Sequence, residues 1–125
     1  MNVDIVIPVY SERIDALLAT ISACRHQTYP IGTVFVVDDA SPQPVVLPAE
    51  RLPLHQKIQL VRLAKNIGIS GARNAALARS GTELVACVNT EVLPDRHWLQ
   101  TCCEYLEQHP EVGACLPVRH RHREN

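Results

Sequence analysis

Aromatic residues are scarce in this chain: one Trp, one Phe and three Tyr among 125 residues. So few flat side chains exclude the repeated stacking platforms on which single-stranded nucleic acid is held. An excess of charge is missing too, since 12 Lys and Arg face 13 Asp and Glu for a formal net charge of -1. Arg119, Arg121 and Arg123 against Glu124 put +2 on the last seven residues, which leaves the body near -3 and without a broad basic face for nucleic acid. No apolar run approaches the roughly 18 residues that a bilayer-crossing helix needs. Met1-Asn2-Val3-Asp4 enters an apolar stretch without the basic start and small-residue cleavage site of a secretory signal. The expected location is the cytoplasm, or the periphery of a membrane.

Disulfide and metal frameworks are missing as well. The five cysteines (Cys24, Cys87, Cys102, Cys103, Cys115) are odd in number and show no C-x-x-C spacing. Lying inside apolar periodic segments, they read as reduced, buried packing residues. His120 and His122 alternate with arginines that repel cations, and His26, His55, His97 and His109 lack pairing at ligand spacing. What the chain does have is an ordinary globular composition, 46% hydrophobic and 20% charged. A chain of this length can bury roughly two-thirds of the surface its unfolded form exposes.

The apolar pattern alternates between strand and helix. Val3 to Pro8 reads as a strand, followed by a helix capped by Ser11 with Ile14, Leu17, Leu18, Ile21 and Cys24 at helical spacing. Tyr29-Pro30 ends it. Thr33 to Asp38 is a second strand, and a connection containing Pro42, Pro44, Pro48 and Pro53 leads to an extended Lys57 to Leu63. Ser70 starts an Ala-rich helix closed at Gly81, Glu83 to Val88 is apolar and extended, and Asp95 caps a helix bearing Trp98, Leu99, Cys102, Tyr105 and Leu106. A short strand over Val112 to Val118, broken by Gly113 and Pro117, completes the order β-α-β-β-α-β-α-β. That order predicts an α/β fold: a doubly wound, mostly parallel sheet with helices on both faces. Residues 119 to 125 lack apolar side chains and are expected to be a disordered or truncated basic tail beyond a domain of residues 1 to 118.

Val34-Phe35-Val36-Val37 ends abruptly in Asp38 and Asp39. An unbroken apolar strand belongs in the centre of a parallel sheet, and such sheets bind ligands at the carboxyl ends of their strands. Three further groups fall on the same edge. Tyr10 offers a flat face beside Pro8, on which a base could stack. Gly68-Ile69-Ser70-Gly71-Ala72-Arg73-Asn74 joins a flexible backbone to a helix start and a guanidinium, which suits a phosphate. Asn89-Thr90-Glu91 sets an amide and a carboxylate two residues apart, able to share a hard divalent cation with substrate phosphates. Asp39 could accept a hydrogen bond from an imide N–H such as that of uracil; Asp38 could do the same, or cap the loop.

Five stretches in order resemble the family 2 glycosyltransferases: Val3 to Tyr10, Gln27-Thr28-Tyr29-Pro30, Val36 to Ser41, Asn66 to Ala76, and Val88 to Pro94. The resemblance covers residues 3 to 118. It implies the Rossmann-like GT-A fold, a nucleotide-diphosphate sugar donor that is often UDP-linked, and Mg2+ or Mn2+. By position it implies that Pro8 and Tyr10 line the base pocket, that Asp38 and Asp39 belong to the nucleotide site with Asp39 on the uracil ring, and that Arg73 is the donor-side basic residue. Asn89-Thr90-Glu91 occupies the place of the family's D-x-D element, with Asn89 and Glu91 as its metal-binding positions. The family's acceptor-binding half and catalytic carboxylate normally follow the last strand, so the chain is expected to be truncated after the donor-binding half, without a general base.

The leading expectation is an enzyme that transfers a sugar from a nucleotide-diphosphate donor to an acceptor that is a glycan, a lipid or a protein. The alternative is a non-catalytic nucleotide-sugar-binding or scaffold module. A phospho-receiver domain fails on spacing, because the acidic pair follows the second strand and both lysines (Lys57, Lys65) precede the only later Asp, Asp95. No nucleic acid partner is expected, and an exposed sheet edge predicts homodimerisation.

Overall fold

Residues 2–52 and 56–116 are described by the computed structural model. The first strand, β1 (Val3–Val9), is almost wholly buried because it lies inside the sheet with protein on both faces. Successive side chains of a strand point to opposite faces. Val3, Ile5, Ile7 and Val9 accordingly enter one core and Val6 the other.

β2 (Ile31–Asp38), β3 (Lys57–Arg62) and β4 (Leu84–Cys87) complete a four-stranded sheet in the order β3-β2-β1-β4. Every pairing is parallel. α1 (Ile14–Arg25) and α3 (Trp98–Gln108) cover one face through Leu17, Ile21, Cys24, Leu99 and Cys103. α2 (Gly68–Leu77) covers the other, where Ala72 and Ala76 pack on Val6, Phe35, Val37 and Val61. The chain runs outward from β1 through β2 to β3, then crosses back to lay β4 on the far side of β1. The order therefore reverses beside β1, which is where an open α/β sheet leaves a crevice.

The expected elements form, with shifts at their ends and one exception. Residues 112–116 form no strand, and Pro117 and Val118 lie outside the described residues, as do residues 119–125. Ser11 does not cap α1: the helix starts at Ile14 behind Arg13, and Ser11 instead takes a left-handed backbone with φ 54. α2 spans Gly68–Leu77 rather than Ser70 to Gly81, because Asp39, just past the end of β2, supplies its amino-terminal acceptor. α3 begins at Trp98, and Asp95 accepts from His97 N at 2.9 Å just ahead of it.

The Gln27-Thr28-Tyr29 stretch joins α1 to α3. Gln27 Oε1 accepts from Leu99 N at 3.1 Å while its Nε2 donates to Asp95 O at 2.7 Å. The Thr28 hydroxyl donates to Gln100 Oε1 at 2.6 Å, and the Tyr29 hydroxyl to Glu107. α3 has no capping side chain on its own N-cap residue, so an orphan donor of its first turn is met by Gln27, two residues past the end of α1. Among the cysteines, all free, only Cys24 and Cys103 are buried as expected; Cys87 is exposed because it sits on flanking strand β4.

At the amino ends of the strands, buried Asp4 accepts from Thr33 N at 2.8 Å and from the Ser80 hydroxyl at 2.6 Å. A Cβ on Gly32 would collide with Asp4 Oδ1. Gly32→Ala should therefore lower stability by about 1–3 kcal/mol by prising a buried carboxylate from its donors, read as a lower urea midpoint at unchanged m-value.

Candidate functional site

The two carboxylates that end β2 point to different loops, as neighbours in an extended chain must. Asp38 turns toward the Pro-rich connection and toward β3. Its Oδ1 accepts from Ser41 N at 2.9 Å, and its Oδ2 from Val45 N at 3.0 Å and Arg62 Nη1 at 2.8 Å. Arg62 is delivered there by register, since Asp38 pairs with Arg62 across β2 and β3. Burial alone would raise the Asp38 carboxyl, but the Ser41 hydroxyl, the Val45 and Ser41 amides and Arg62 outweigh it and hold it below its ordinary value.

Asp39 turns toward α2. Its Oδ1 accepts from Ile67 N at 2.8 Å, and its Oδ2 from Gly68 N at 2.9 Å and Asn66 Nδ2 at 3.1 Å. Gly68 has φ +85, a left-handed turn that glycine adopts without a Cβ clash. A negative side chain at the start of α2 also complements the helix dipole.

Between the carboxyl ends of β1 and β4, at the point of reversal, lies a cleft of about 240 Å³. Pro8, Tyr10 and Glu12 line it from β1 and the following loop, Asp39 from just past β2, and Asn89, Thr90 and Glu91 from the segment after β4. Ile69 and Ala72 of α2 form the remaining wall. Asp39 is 5% exposed and Tyr10 48%, so the carboxylate lies deep and the ring stands at the mouth. Hydrogen bonds tie the surrounding loops together. Ser11 N donates to Ser41 Oγ at 3.0 Å, Asp39 N to Val9 O at 2.9 Å, and the Thr20 hydroxyl of α1 to Thr90 O at 2.7 Å. Residues following Tyr10 and Asp39, namely Ser11 and Ala40, both hold left-handed backbones (φ 54 and 58). Such conformations are uncommon outside glycine and collect at functional sites.

The structure thus brings Pro8, Tyr10, Asp39, Asn89 and Glu91 to one cleft. Asp38 stands behind it with both oxygens occupied. Arg73 does not line it: its charge acts on Cys87 of β4, and its Nε is buried without a partner. Glu12 goes unremarked in the sequence, and Asn66 enters only as the first residue of a family-like stretch, not as a site residue. Glu12 is two residues past Tyr10 and could have been included on that ground, whereas the reach of Asn66 to Asp39 is a tertiary fact.

Asn89 Oδ1 is buried and has no hydrogen-bond partner, and the Glu91 carboxylate is exposed beside it in the cleft. Two hard oxygen donors of this kind fit part of the shell of Mg2+ or Mn2+, which commonly takes few protein ligands and completes its coordination with phosphate and water. Among the described residues no cluster of three or more His, Cys, Asp or Glu could hold a metal unaided. No helix among them is long and apolar enough to cross a membrane.

Sheet order, helix placement and the cleft at the reversal define an α/β domain of the GT-A kind. The chain belongs to glycosyl transferase family 2, whose model matches residues 4–125. Among solved structures it is similar to S. aureus TarS 1-349, at 21% identity with a TM-score of 0.71 over 88% of this chain and 33% of that one. TarS 1-349 in complex with UDP-GlcNAc matches at 23% identity and a TM-score of 0.69, covering 88% and 32% of the two chains. The mannosyltransferase PcManGT from Pyrobaculum calidifontis, solved with GDP-Man and Mn2+, matches at 25% identity and a TM-score of 0.72, covering 84% and 32%. The chain therefore spans about a third of the length of these proteins. No curated protein matches the sequence.

Asp38 yields a test of the edge. A carboxyl held below its usual 3.8 stabilises the fold fully above that pH, and the contribution is lost as pH falls through the lower folded value. Asp38→Asn should cost about 1.5–3 kcal/mol near neutrality, and its urea midpoint should change less than that of the parent protein as pH falls below 3.8.

Proposed function

We propose that this chain forms the donor-nucleotide part of a glycosyltransferase that moves a sugar from a nucleotide-diphosphate donor, with UDP as the nucleotide, to a hydroxyl acceptor. The observation that carries the reading is the meeting of Tyr10, Asp39, Asn89 and Glu91, from three separate strand ends, in one cleft at the sheet's reversal. In this reading the Tyr10 ring stacks on the base with Pro8 beneath it, and the Asp39 carboxylate accepts the imide N–H. Asp38 serves the nucleotide through the loop it anchors. Arg73 supplies positive charge at the β4 side of α2 toward the phosphates. Asn89 Oδ1 and the Glu91 carboxylate hold Mg2+ or Mn2+, which when bound lends positive charge to the departing diphosphate. The acceptor, a glycan, lipid or protein, and the base that deprotonates it belong to parts of such enzymes that this chain does not span. One carboxylate where the family places two favours the second reading, a nucleotide-sugar-binding module without turnover. Measured hydrolysis or transfer of a UDP-sugar by the 125-residue chain would exclude it.

β3 and β4 flank the sheet, each with a hydrogen-bonded neighbour on one side only among the described residues. Pairing of two copies along such an edge is part of the proposal; sedimentation that finds only monomer at high concentration removes it.

Calorimetric titration with UDP and Mn2+ tests the main reading. Tyr10→Ala, at an exposed position outside the core, should weaken UDP by about 1–3 kcal/mol through lost stacking, and Asp39→Ala by about 1.5–3 kcal/mol through a lost charge-assisted hydrogen bond. Unchanged affinity in both variants rejects the assignment of the cleft.

A further inference from the structure

Asn66 is exposed on the surface, yet its side-chain amide makes two contacts to one residue. Nδ2 donates to Asp39 Oδ2 at 3.1 Å and to Asp39 O at 3.1 Å. Spanning the backbone and the carboxylate of the same residue, it restricts the rotation of that carboxylate. Asp39 N is fixed in turn to Val9 O at 2.9 Å. The carboxylate cannot turn without giving up the Ile67, Gly68 and Asn66 donors together.

An ionised carboxylate offers about four acceptor sites on its two oxygens. Oδ2 already takes two donors, Gly68 N and Asn66 Nδ2. Oδ1 takes one, Ile67 N. One vacancy is left, on Oδ1, in a residue that lines the cleft.

Resting on the nucleotide reading above, we propose that Asn66 is a positioning residue that makes Asp39 a single-acceptor site, selecting a base with one ring N–H over a base with two adjacent donors. Uracil presents one imide N–H between two carbonyls, which suits the vacancy. Guanine presents a ring N–H and an exocyclic amino group side by side, and satisfying both takes a free site on each oxygen, as in a bidentate pair. Cytosine and adenine present an exocyclic amino donor beside an unprotonated ring nitrogen, so the one hydrogen bond they can give brings the carboxylate against a ring lone pair. The selectivity resides in the occupancy of Oδ2 and hence in Asn66, which itself need not touch the base.

The test is calorimetry of the full chain with UDP, GDP and CDP, each with Mn2+, for the parent protein, Asn66→Ala and Gly68→Ala. The parent should bind UDP at least about tenfold more tightly than GDP, the worth of one unmade hydrogen bond to a charged group. Asn66→Ala, by opening a site on Oδ2, should narrow the UDP to GDP ratio several-fold. Gly68→Ala, which strains the other Oδ2 donor, should move it the same way. A ratio does not depend on the fraction of folded protein, so a variant that is merely less stable loses both affinities equally. Equal losses, or a parent that binds GDP as well as UDP, overturn the role of Asn66 while leaving the nucleotide site in place. Failure of every nucleotide to bind overturns the functional reading itself, and this inference with it.

Discussion

Two adjacent carboxylates at the end of a buried central strand constrain everything around them. Asp38 and Asp39 are both buried, and an ionised group taken out of water costs several kcal/mol unless donors replace the water. Because neighbouring residues of an extended strand diverge, one set of donors cannot serve both. The chain solves this twice. Arg62 with the Ser41 and Val45 amides closes around Asp38, and the Asn66-Ile67-Gly68 turn closes around Asp39. The Pro-rich connection, the end of β3 and the start of α2 are all placed by these needs. The wall that α2 gives the cleft follows from where Asp39 holds the helix.

Much of this was legible. Val3 to Val9 and Ile31 to Asp38 are apolar nearly throughout, as strands covered on both faces must be, and the alternation with helical spacing in Ile14, Leu17, Ile21 and Cys24 established the doubly wound order. Helix ends were less legible because their acceptors and donors come from afar. Ser11 looks like a cap in sequence, yet in the structure its amide donates to Ser41 Oγ, and α2 is capped by Asp39, 29 positions before Gly68. Local pattern has no access to such partners. The same holds for Cys87, whose neighbours read as buried strand but whose position on a flanking strand depends on sheet order.

The candidate site divides along similar lines. Pro8, Tyr10, Asp39, Asn89 and Glu91 stand at strand ends, and in a parallel sheet all carboxyl ends share an edge, so their convergence is implied by topology. Arg73 shows where that logic stops: one residue beyond Ala72 on a helix is a rotation of about 100°, enough to carry a side chain from the cleft toward β4. At 21 to 25% identity the solved relatives share this framework over about a third of their length. Side chains on the framework must be read residue by residue.

The left-handed turns at Ser11 and Ala40 bear on how a ligand would be received. Each follows directly on a residue facing the cleft, and the Ser11 amide is tied to the Ser41 hydroxyl in the neighbouring loop. Conformational entropy of these loops is thus surrendered when the chain folds rather than when a guest arrives. A receptor whose mouth is already shaped recovers more of its contact energy as affinity, and its association needs no slow rearrangement of the mouth beforehand.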